Sequence, residues 1–277
     1  MDRGFSLSMS VYGGDRAEFF RRAVVSTTLE QTLPPAEVVL VVDGPVAWAI
    51  DEMIAELQDE LPMPLTVVRL QENVGHARSR QAGLEATRYR IVAMHDSDDV
   101  CHPERFARQM EYLEQHPDVN VVGAQITEFV GSEDNVVATR RCPEGDEDIK
   151  RYMKDRCPMN FVTVMVRKDS VLQAGGFIDW YCEEDYYLWV RMVENGCKFG
   201  NLPEVLVNAR VGSEMYRRRG GWRYFKSEAR LQRYMLSRGI ISWPRYAYNV
   251  AIRFAVQVLM PNGLRGWVFC RFARKKQ

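Results

Sequence analysis

The 277-residue sequence lacks several features that would assign it to a specialised class of protein. It has no internal repeat, no low-complexity segment and no Cys-x-x-Cys pair, and its six cysteines are scattered along the chain. The most apolar stretch is interrupted by Arg253 and is shorter than the roughly 20 residues of a membrane-spanning helix. These absences argue against a repeat protein, a zinc module, a disulfide scaffold and an integral membrane protein.

The opening residues, MDRGFSLSMSVY, lack the long apolar stretch of a secretory signal and continue directly into a strand-like pattern. Scattered cysteines are typical of a reducing compartment, so we expect a cytoplasmic protein. With 46% hydrophobic and 27% charged residues, the composition is that of an ordinary globular chain. Its length suits one large α/β domain with an appended tail, or two modest domains.

The formal net charge of zero hides a strong asymmetry. Residues 205–277 carry 16 Lys and Arg against Glu214 and Glu228, a balance of +14, so residues 1–204 carry −14. Such a basic tail suits an anionic partner, either phospholipid headgroups or a phosphate-bearing substrate, although a solvated charged surface is the simpler alternative. We expect no nucleic-acid partner and consider peripheral contact with an anionic membrane surface.

Short apolar runs alternate with longer amphipathic stretches over the first 130 residues, which predicts an α/β fold with a mostly parallel, Rossmann-like central sheet flanked by helices. The predicted strands are Phe5–Tyr12, Val38–Val42, Leu65–Leu70, Ile91–His95, Val119–Phe129 and Phe161–Val166. The predicted helices are Arg16–Gln31, Ala47–Glu60, Gly75–Thr87, Pro103–His116 and Glu184–Asn195, followed by Trp222–Arg238, Tyr246–Met260 and Gly263–Phe272 in the tail. Trp243, Trp267 and Phe269 beside many arginines favour a tail helix lying in a membrane surface over one packed in a core.

Three carboxylates crowd into the four residues that follow the predicted strand Ile91–His95. Mutual repulsion among Asp96, Asp98 and Asp99 would destabilise the fold unless a cation compensates, and Mg²⁺ or Mn²⁺ prefers such oxygen ligands. Negative charge near the start of the following helix is the alternative. Because ligands bind beyond the carboxyl ends of parallel strands, the position after a strand favours a metal site.

Further polar residues follow other predicted strands. Asp43 closes an apolar strand before Gly44 and Pro45, where it can contact a nucleobase or ribose or simply form a tight turn. Arg80 lies on a helix after Asn73-Val74-Gly75, facing either a nucleotide or solvent. One carboxylate of the acidic stretch Glu183-Glu184-Asp185 is a candidate general base, unless the acids serve only the helix dipole.

In the tail, the segment Arg217-Arg218-Arg219-Gly220-Gly221 combines forked cations with glycines. It either closes over a diphosphate or attracts anionic lipid, and the sequence leaves both readings open.

An ordered set of motifs resembles glycosyltransferase family two with its GT-A fold, over roughly residues 5–235. The set comprises SVY at the end of the first strand, LVVDGP, the N-x-G-x(3)-A/S-R-N/Q-x-G pattern of residues 73–83, HDSDD and EEDYYLW. Among such proteins the sequence is most similar to exopolysaccharide and lipopolysaccharide transferases of the amylovoran-biosynthesis type, which share the RRRGGW segment and the basic tail. Gln81 stands where Asn is usual, and Phe161 lies where similar proteins often have His.

The resemblance implies an inverting, metal-dependent transfer of a sugar from a nucleotide-sugar donor, a UDP-sugar, to a hydroxyl of a glycan or lipid-linked acceptor in bacterial surface polysaccharide biosynthesis. The implied donor-binding residues are Ser10, Tyr12, Asp43, Asn73, Gly75, Arg80, Asp96, Ser97, Asp98 and Arg218. The implied ligands of Mn²⁺ or Mg²⁺ are Asp96, Asp98 and Asp99, and the implied catalytic residues are Asp185 as base and Glu184.

These motifs divide the chain into a GT-A catalytic domain, residues 1–215, and a basic helical extension, residues 216–277. The catalytic domain has a nucleotide-binding half, about residues 1–130, and an acceptor half, about residues 131–215. A nucleotidyltransferase is the first rival, although only Gly13-Gly14 hints at its Gly-rich phosphate loop. A non-catalytic nucleotide-sugar or glycan-binding module is the second, and it would not need the acids at 96, 98 and 185.

Overall fold

The computed structural model describes residues 4–212 and 220–260. Its strands are β1 Ser6–Tyr12, β2 Glu37–Asp43, β3 Leu65–Arg69, β4 Ile91–Asp96, β5 Val100–Cys101, β6 Val119–Phe129, β7 Val136–Arg140, β8 Met165–Arg167 and β9 Lys198–Arg210. Its helices are α1 Ala17–Thr27, α2 Trp48–Glu60, α3 His76–Ala86, α4 Arg105–Gln115, α5 Asp146–Met153, α6 Lys168–Gln173, α7 Glu184–Glu194, α8 Gly221–Ser237 and α9 Trp243–Phe254. A 3-10 turn spans Phe161–Thr163, and a π-helical turn, Ala255–Leu259, continues α9.

The described strands form one sheet in the order β3-β2-β1-β4-β8-β6-β9-β5, with β7 beside β6. The first four strands in this order pair in parallel, as predicted. The second half of the sheet is mixed, because β8 runs antiparallel to both β4 and β6 while β9 runs parallel to β6. The α/β class is therefore confirmed, with one parallel half of the sheet and one mixed half.

Both faces of the sheet are buried, as the continuous apolar strands require. One face packs Leu7 and Leu40 against Phe20 of α1 and Ile50 of α2. On the other face of β1 lie serines, which let α3 approach so closely that a Cβ at Gly83 would meet the Ser8 hydroxyl oxygen at 2.5 Å. That close approach brings the first turns of α3 beside the carboxyl ends of β1 and β4.

Two stretches differ from the sequence-based prediction. The predicted strand Phe161–Val166 is wrong in its first half, which is a 3-10 turn before β8. Buried polar groups hold this turn, since the Asn160 amide donates to the Ala124 carbonyl at 2.8 Å and the Thr163 hydroxyl donates to the Asn160 carbonyl at 2.8 Å. The long strand β9 was not predicted, because irregular pairing with β6 breaks its apolar alternation.

The helical extension packs on the catalytic domain through α8. Leu231 and Met235 pack into a second hydrophobic core, which contains Trp189 of α7. Helix α9 then packs on α8, and the Asn249 amide donates to the Gln232 side-chain oxygen at 2.8 Å. In the described ranges no helix has the length and apolar character needed to cross a bilayer. The predicted domain boundary at residue 215 and the predicted helix at 263–272 lie outside the described residues.

Candidate functional site

A cleft of about 270 Å³ opens at the carboxyl ends of the central strands. Six of the residues predicted from the sequence line it, namely Arg80, Asp96, Asp98, Asp99, Glu184 and Asp185. They come from three distant segments, because the ends of β4, α3 and α7 meet at this edge of the sheet. Ser10 lies directly beside Asp96 in the neighbouring strand β1.

The acidic loop after β4 gains a fourth carboxylate that the sequence analysis missed. Asp15 follows β1, and its Oδ2 accepts hydrogen bonds from the Ser97 hydroxyl at 2.8 Å and from the Tyr12 backbone N–H at 3.1 Å. Burial raises the pKa of Asp15, and the negative charge of Asp96 adds to that rise. Ser97 therefore holds Asp15 in the described structure, whereas the resemblance implied a direct contact with the donor.

Repulsion between carboxylates affects the pKa of Asp98. Burial, followed by the charges of Asp96 and Asp15, raises the pKa of Asp98 to about 6. Burial also disfavours the ionised form of Asp96, but the positive charges of Arg80 and His76 outweigh it and lower the pKa of that carboxyl. The loop thus concentrates negative charge that its protein neighbours offset only in part.

This donor set fits a hard divalent cation. Among residues 4–212 and 220–260 no three His, Cys, Asp or Glu side chains are grouped as a complete metal site. Mg²⁺ and Mn²⁺ sites for phosphate substrates commonly use one or two carboxylates, with water and phosphate oxygens as the other ligands. Asp96 and Asp98 meet that requirement. A cation would neutralise their negative charges and so relieve the repulsion between them.

Asp99 is engaged differently from its two neighbours. Its Oδ1 accepts a hydrogen bond from the Arg210 backbone N–H at 2.7 Å, and burial raises its pKa well above the ordinary value. The Arg210 guanidinium also donates to the Asp98 carbonyl at 3.1 Å and to the Gly131 carbonyl at 2.8 Å, and it lies 3.7 Å from the Phe19 ring centroid. Arg210 therefore fixes the backbone of the acidic loop against β9.

Arg80 connects the two sides of the cleft. Its guanidinium donates to Glu184 Oε1 at 2.8 Å and to Asp96 Oδ1 at 3.2 Å. The same group lies 3.7 Å above the centroid of the Phe161 ring, so the 3-10 turn supports it from below. Phe161 thus serves as a platform for an arginine.

Asp185 lies in the first turn of α7 on the side of the cleft away from β1. Its Oδ1 accepts from the Tyr186 backbone N–H at 2.7 Å, and its Oδ2 lies 3.7 Å from the Cys157 thiol. Burial raises the pKa of Asp185, and the charge of Glu184 raises it further. A carboxylate with a raised pKa, held at the edge of a cleft, has the properties of a general base.

The remaining predicted donor residues form a rim at the ends of β1 and β2. Asp43 pairs with Tyr12 in register, and its two carboxylate oxygens accept from the backbone N–H groups of Val74 at 2.7 Å and Gly75 at 3.1 Å. Gly75 has φ +85, which favours glycine, and the Asn73 amide donates to the Asp43 carbonyl at 3.4 Å. Asp43 thus shapes the loop before α3, and its contact with a nucleotide remains a prediction.

Two lining residues gave no signal in the sequence. Arg140 reaches the cleft because β7 pairs with β6, and Asn160 reaches it because its amide donates to the Ala124 carbonyl of β6 at 2.8 Å. Arg218, a predicted donor residue, lies outside the described residues.

Two relatives of known name align with most of the chain. It is 38% identical over 233 residues to the amylovoran biosynthesis glycosyltransferase AmsE of Erwinia amylovora, covering 84% of this chain and 86% of that protein. It is 28% identical over 271 residues to the UDP-Gal:alpha-D-GlcNAc-diphosphoundecaprenol beta-1,3-galactosyltransferase of Escherichia coli, covering 98% and 97%.

Solved structures share the fold at low sequence identity. TarS 1-349 of S. aureus in complex with UDP-GlcNAc matches with a TM-score of 0.66 and 16% identity, over 96% of this chain and 75% of that one. The mannosyltransferase PcManGT from Pyrobaculum calidifontis in complex with GDP-Man and Mn2+ matches with a TM-score of 0.64 and 15% identity, over 94% and 71%. These matches confirm the predicted GT-A fold.

The family assignment rests on the sequence itself. The family described as Glycosyl transferase family 2 matches residues 10–176, which include the end of β1, the acidic loop after β4 and the turn that supports Arg80. Together with the relative that is 38% identical, this match confirms the resemblance seen in the motifs. The chain belongs to glycosyl transferase family 2.

Proposed function

We propose that this glycosyltransferase transfers a sugar, with inversion, from a UDP-sugar to a hydroxyl of a glycan or lipid-linked acceptor. The observation that carries the proposal is the bridge made by Arg80. It joins Asp96, on the donor side of the cleft, to Glu184, the neighbour of the candidate base Asp185. A donor held near Asp96 would therefore present its reacting carbon to the side on which Asp185 lies.

The residues of this chain suit a single displacement. As the acceptor oxygen attacks the anomeric carbon, its proton passes to the Asp185 carboxylate, and the bond from that carbon to the nucleoside diphosphate breaks. Attack from the side opposite the leaving group inverts the anomeric centre. Arg80 lies where its positive charge offsets negative charge that develops on the departing diphosphate.

A divalent cation, Mn²⁺ or Mg²⁺, belongs to the proposal. Asp96 and Asp98 are the residues that would hold it, and the Mn2+ bound with GDP-Man in the similarly folded PcManGT is consistent with this assignment. When bound, the ion would neutralise charge on the diphosphate as a Lewis acid. Asp99, whose Oδ1 is occupied by the Arg210 backbone, would contribute mainly to the shape of the loop.

Arg210→Lys is expected to weaken Mn²⁺ binding about 10- to 100-fold, the usual effect of removing a residue that orients metal ligands. Lysine keeps the positive charge, but it lacks the planar guanidinium that donates to the Asp98 and Gly131 carbonyls while it packs on the Phe19 ring. Mn²⁺ affinity measured by electron paramagnetic resonance tests this without relying on turnover. Arg69→Lys, which alters an exposed pair with Asp51, is the matched control, and equal affinities in all three proteins would refute the positioning role.

The acceptor proposal rests on the relatives. The Escherichia coli relative is named for transfer to a sugar on diphosphoundecaprenol, and the Erwinia relative for amylovoran biosynthesis. We propose an acceptor of the same general kind, in the assembly of a bacterial surface polysaccharide. A lipid-linked acceptor would bring the enzyme to the cytoplasmic face of the membrane.

Donor hydrolysis with a panel of nucleotide sugars tests the proposal directly. We expect release of one nucleoside diphosphate, from a UDP-sugar, in the presence of Mn²⁺, and loss of that release when a chelator removes the ion. The matched control is the same panel with Mn²⁺ restored in excess of the chelator. Tight nucleotide-sugar binding without turnover in any donor–acceptor pair would instead favour the binding module. Formation of a nucleoside triphosphate and a sugar 1-phosphate when pyrophosphate is added would favour the nucleotidyltransferase.

A further inference from the structure

Arg140 is a cation in the wall of the cleft that pairs with no carboxylate of the described residues. It lines the cleft from β7, and its side chain is half-buried. Its Nη2 donates to the Cys157 carbonyl at 2.9 Å, and this is the one hydrogen bond that residues 4–212 and 220–260 give to the guanidinium. The other nitrogen atoms stay accessible, because none of them is both buried and without a partner. Part of the guanidinium can therefore donate to a ligand in the cleft.

The other two arginines that line the cleft in the described structure are already engaged. Arg80 pairs with Asp96 and Glu184, and two backbone carbonyls accept from Arg210. A half-buried guanidinium without a counter-charge has lost part of its hydration, and a single neutral hydrogen bond replaces little of it. Of the three arginines, Arg140 would gain most from an anionic ligand.

Cys157 places Arg140 close to the candidate base. Arg140 donates to the carbonyl of Cys157, and the thiol of the same residue lies 3.7 Å from Asp185 Oδ2. The two charged groups are near enough to interact, since burial raises the pKa of Asp185 and the positive charge of Arg140 opposes that rise. A group bound by Arg140 would therefore lie near the hydroxyl from which Asp185 takes the proton.

We infer that Arg140 binds an anionic group of the acceptor, a phosphate or a carboxylate carried near the reacting hydroxyl. Both groups present oxygen atoms that accept two parallel N–H bonds from one guanidinium, and such charge-assisted bonds are about twice as strong as neutral ones. This substrate class rests on the proposed function, which it narrows to acceptors that carry a negative charge beside the hydroxyl.

The surroundings of Arg140 assign the anion to the acceptor and not to the donor diphosphate. Arg80 and Arg210 are the arginines whose charges act most strongly on the acidic loop, where the proposal places the cation and the diphosphate. For Arg140, the acid whose charge acts most strongly is Asp185. Arg140 therefore belongs to the side of the cleft on which the acceptor hydroxyl loses its proton.

Transfer to matched acceptors tests the inference. Each sugar of a panel is offered in three forms, as a neutral octyl glycoside, as its anomeric octyl diphosphate, and as the octyl glycoside of the corresponding uronic acid. We expect the wild type to prefer one charged form to the neutral form by at least about tenfold in kcat/KM, the usual contribution of hydrogen bonds to a charged group. The preferred form identifies the anion as phosphate or carboxylate.

Arg140→Gln is expected to bring transfer to the charged and neutral forms close to equality. The ratio is the readout, because loss of a cation near Asp185 alters transfer to every acceptor, whereas only the charged forms lose a contact. Arg140→Lys keeps the positive charge and should retain part of the preference. Arg141→Gln is the matched control, since Arg141 is exposed beside Arg140 in the chain and donates to the Pro203 carbonyl at 3.1 Å. Its preference should equal that of the wild type.

Three outcomes would overturn the inference. The first is equal transfer to charged and neutral forms by the wild type, and the second is a preference that survives in Arg140→Gln. The third is a preference for UDP-glucuronate over UDP-glucose in donor hydrolysis that Arg140→Gln removes, because the anion would then belong to the donor sugar.

Equilibrium binding of the same acceptor probes, with UDP and Mn²⁺ present, decides the question even where no probe is a substrate. We expect a charged form to bind the wild type at least about tenfold more tightly than it binds Arg140→Gln, and equal affinities would refute the contact. Absence of Mn²⁺-dependent donor hydrolysis from the wild type would count against the proposed function. Hydrolysis without any preference for a charged acceptor would count against the role of Arg140 alone.

Discussion

Asp185→Asn is expected to lower the rate of sugar transfer by about 10²- to 10⁴-fold, the usual contribution of a general base. Asparagine keeps the shape of the side chain, and its oxygen can still accept the hydrogen bond from the Tyr186 backbone, but its amide cannot take up a proton at neutral pH. Because the replaced group lies apart from the acidic loop, donor affinity should stay close to that of the wild type. Single-turnover transfer and equilibrium nucleotide binding, measured on the same preparation, separate these two effects.

The pH dependence provides an internal check on the same residue. Burial and then the charge of Glu184 raise the pKa of Asp185. The base must be ionised to act, so the rate should rise with pH along a limb that lies above the ordinary range of an aspartate. Glu184→Gln removes one cause of the rise, so its limb should move to lower pH while transfer persists.

Glu184 is also the residue that would replace Asp185 in the scheme. Its carboxylate already accepts from the Arg80 guanidinium at 2.8 Å, which lowers its suitability as a proton acceptor. If Glu184→Gln abolished transfer while Asp185→Asn retained it, Glu184 would be the base and Asp185 its neighbour.

Asp98→Asn is expected to have the second large effect, a loss of about 10²- to 10³-fold in Mn²⁺-dependent donor hydrolysis, comparable to losing one group that stabilises transition-state charge. The reason lies in the acidic loop. Asp98 carries a poorly compensated carboxylate there, since burial and its neighbours Asp96 and Asp15 raise its pKa to about 6. A divalent cation is the group that would relieve this repulsion, so cation affinity should fall with activity.

Asp98→Asn is expected to leave the melting temperature unchanged or to raise it, although it lowers activity. A carboxylate whose folded-state pKa is raised weakens folding at any pH above that value, where it is ionised at a cost. At neutral pH without a cation, Asp98→Asn should therefore melt at the same temperature as the wild type or higher. Adding Mn²⁺ should raise the melting temperature of the wild type and have little effect on the variant.

Asp99→Asn is the matched control for this prediction. Its Oδ1 is held by the Arg210 backbone N–H at 2.7 Å, an interaction that asparagine preserves. Mn²⁺ affinity should therefore fall less than in Asp98→Asn. A larger loss in Asp99→Asn would restore the original prediction that Asp99 is a metal ligand, and undiminished Mn²⁺ dependence in Asp98→Asn would remove Asp98 from the site.

The sequence by itself determined the parallel half of the fold and the order of the chemistry-bearing loops. Strands β2 and β4 are apolar runs and β1 alternates serines with apolar residues. They end at Tyr12, Asp43 and Asp96, and parallel strands must place those ends on one edge of the sheet. The acidic loop and the acidic start of α7 were visible for the same reason, because each directly adjoins a strongly periodic element. Local pattern and strand direction suffice for such features.

Only the tertiary structure decided which distant residues contact these loops and which groups offset their negative charge. Asp15 contacts the acidic loop through a hydrogen bond with Ser97, 82 residues away. Arg210, on β9, donates a hydrogen bond to the backbone of the same loop. Strand β9 was not predicted from the sequence because its pairing with β6 is irregular. The positive charge of the tail is likewise visible in the sequence, but the pairing of individual arginines, such as Arg253 with Glu228, is not. Hydrogen bonds and ion pairs between distant segments depend on side-chain positions in three dimensions, which no local period encodes.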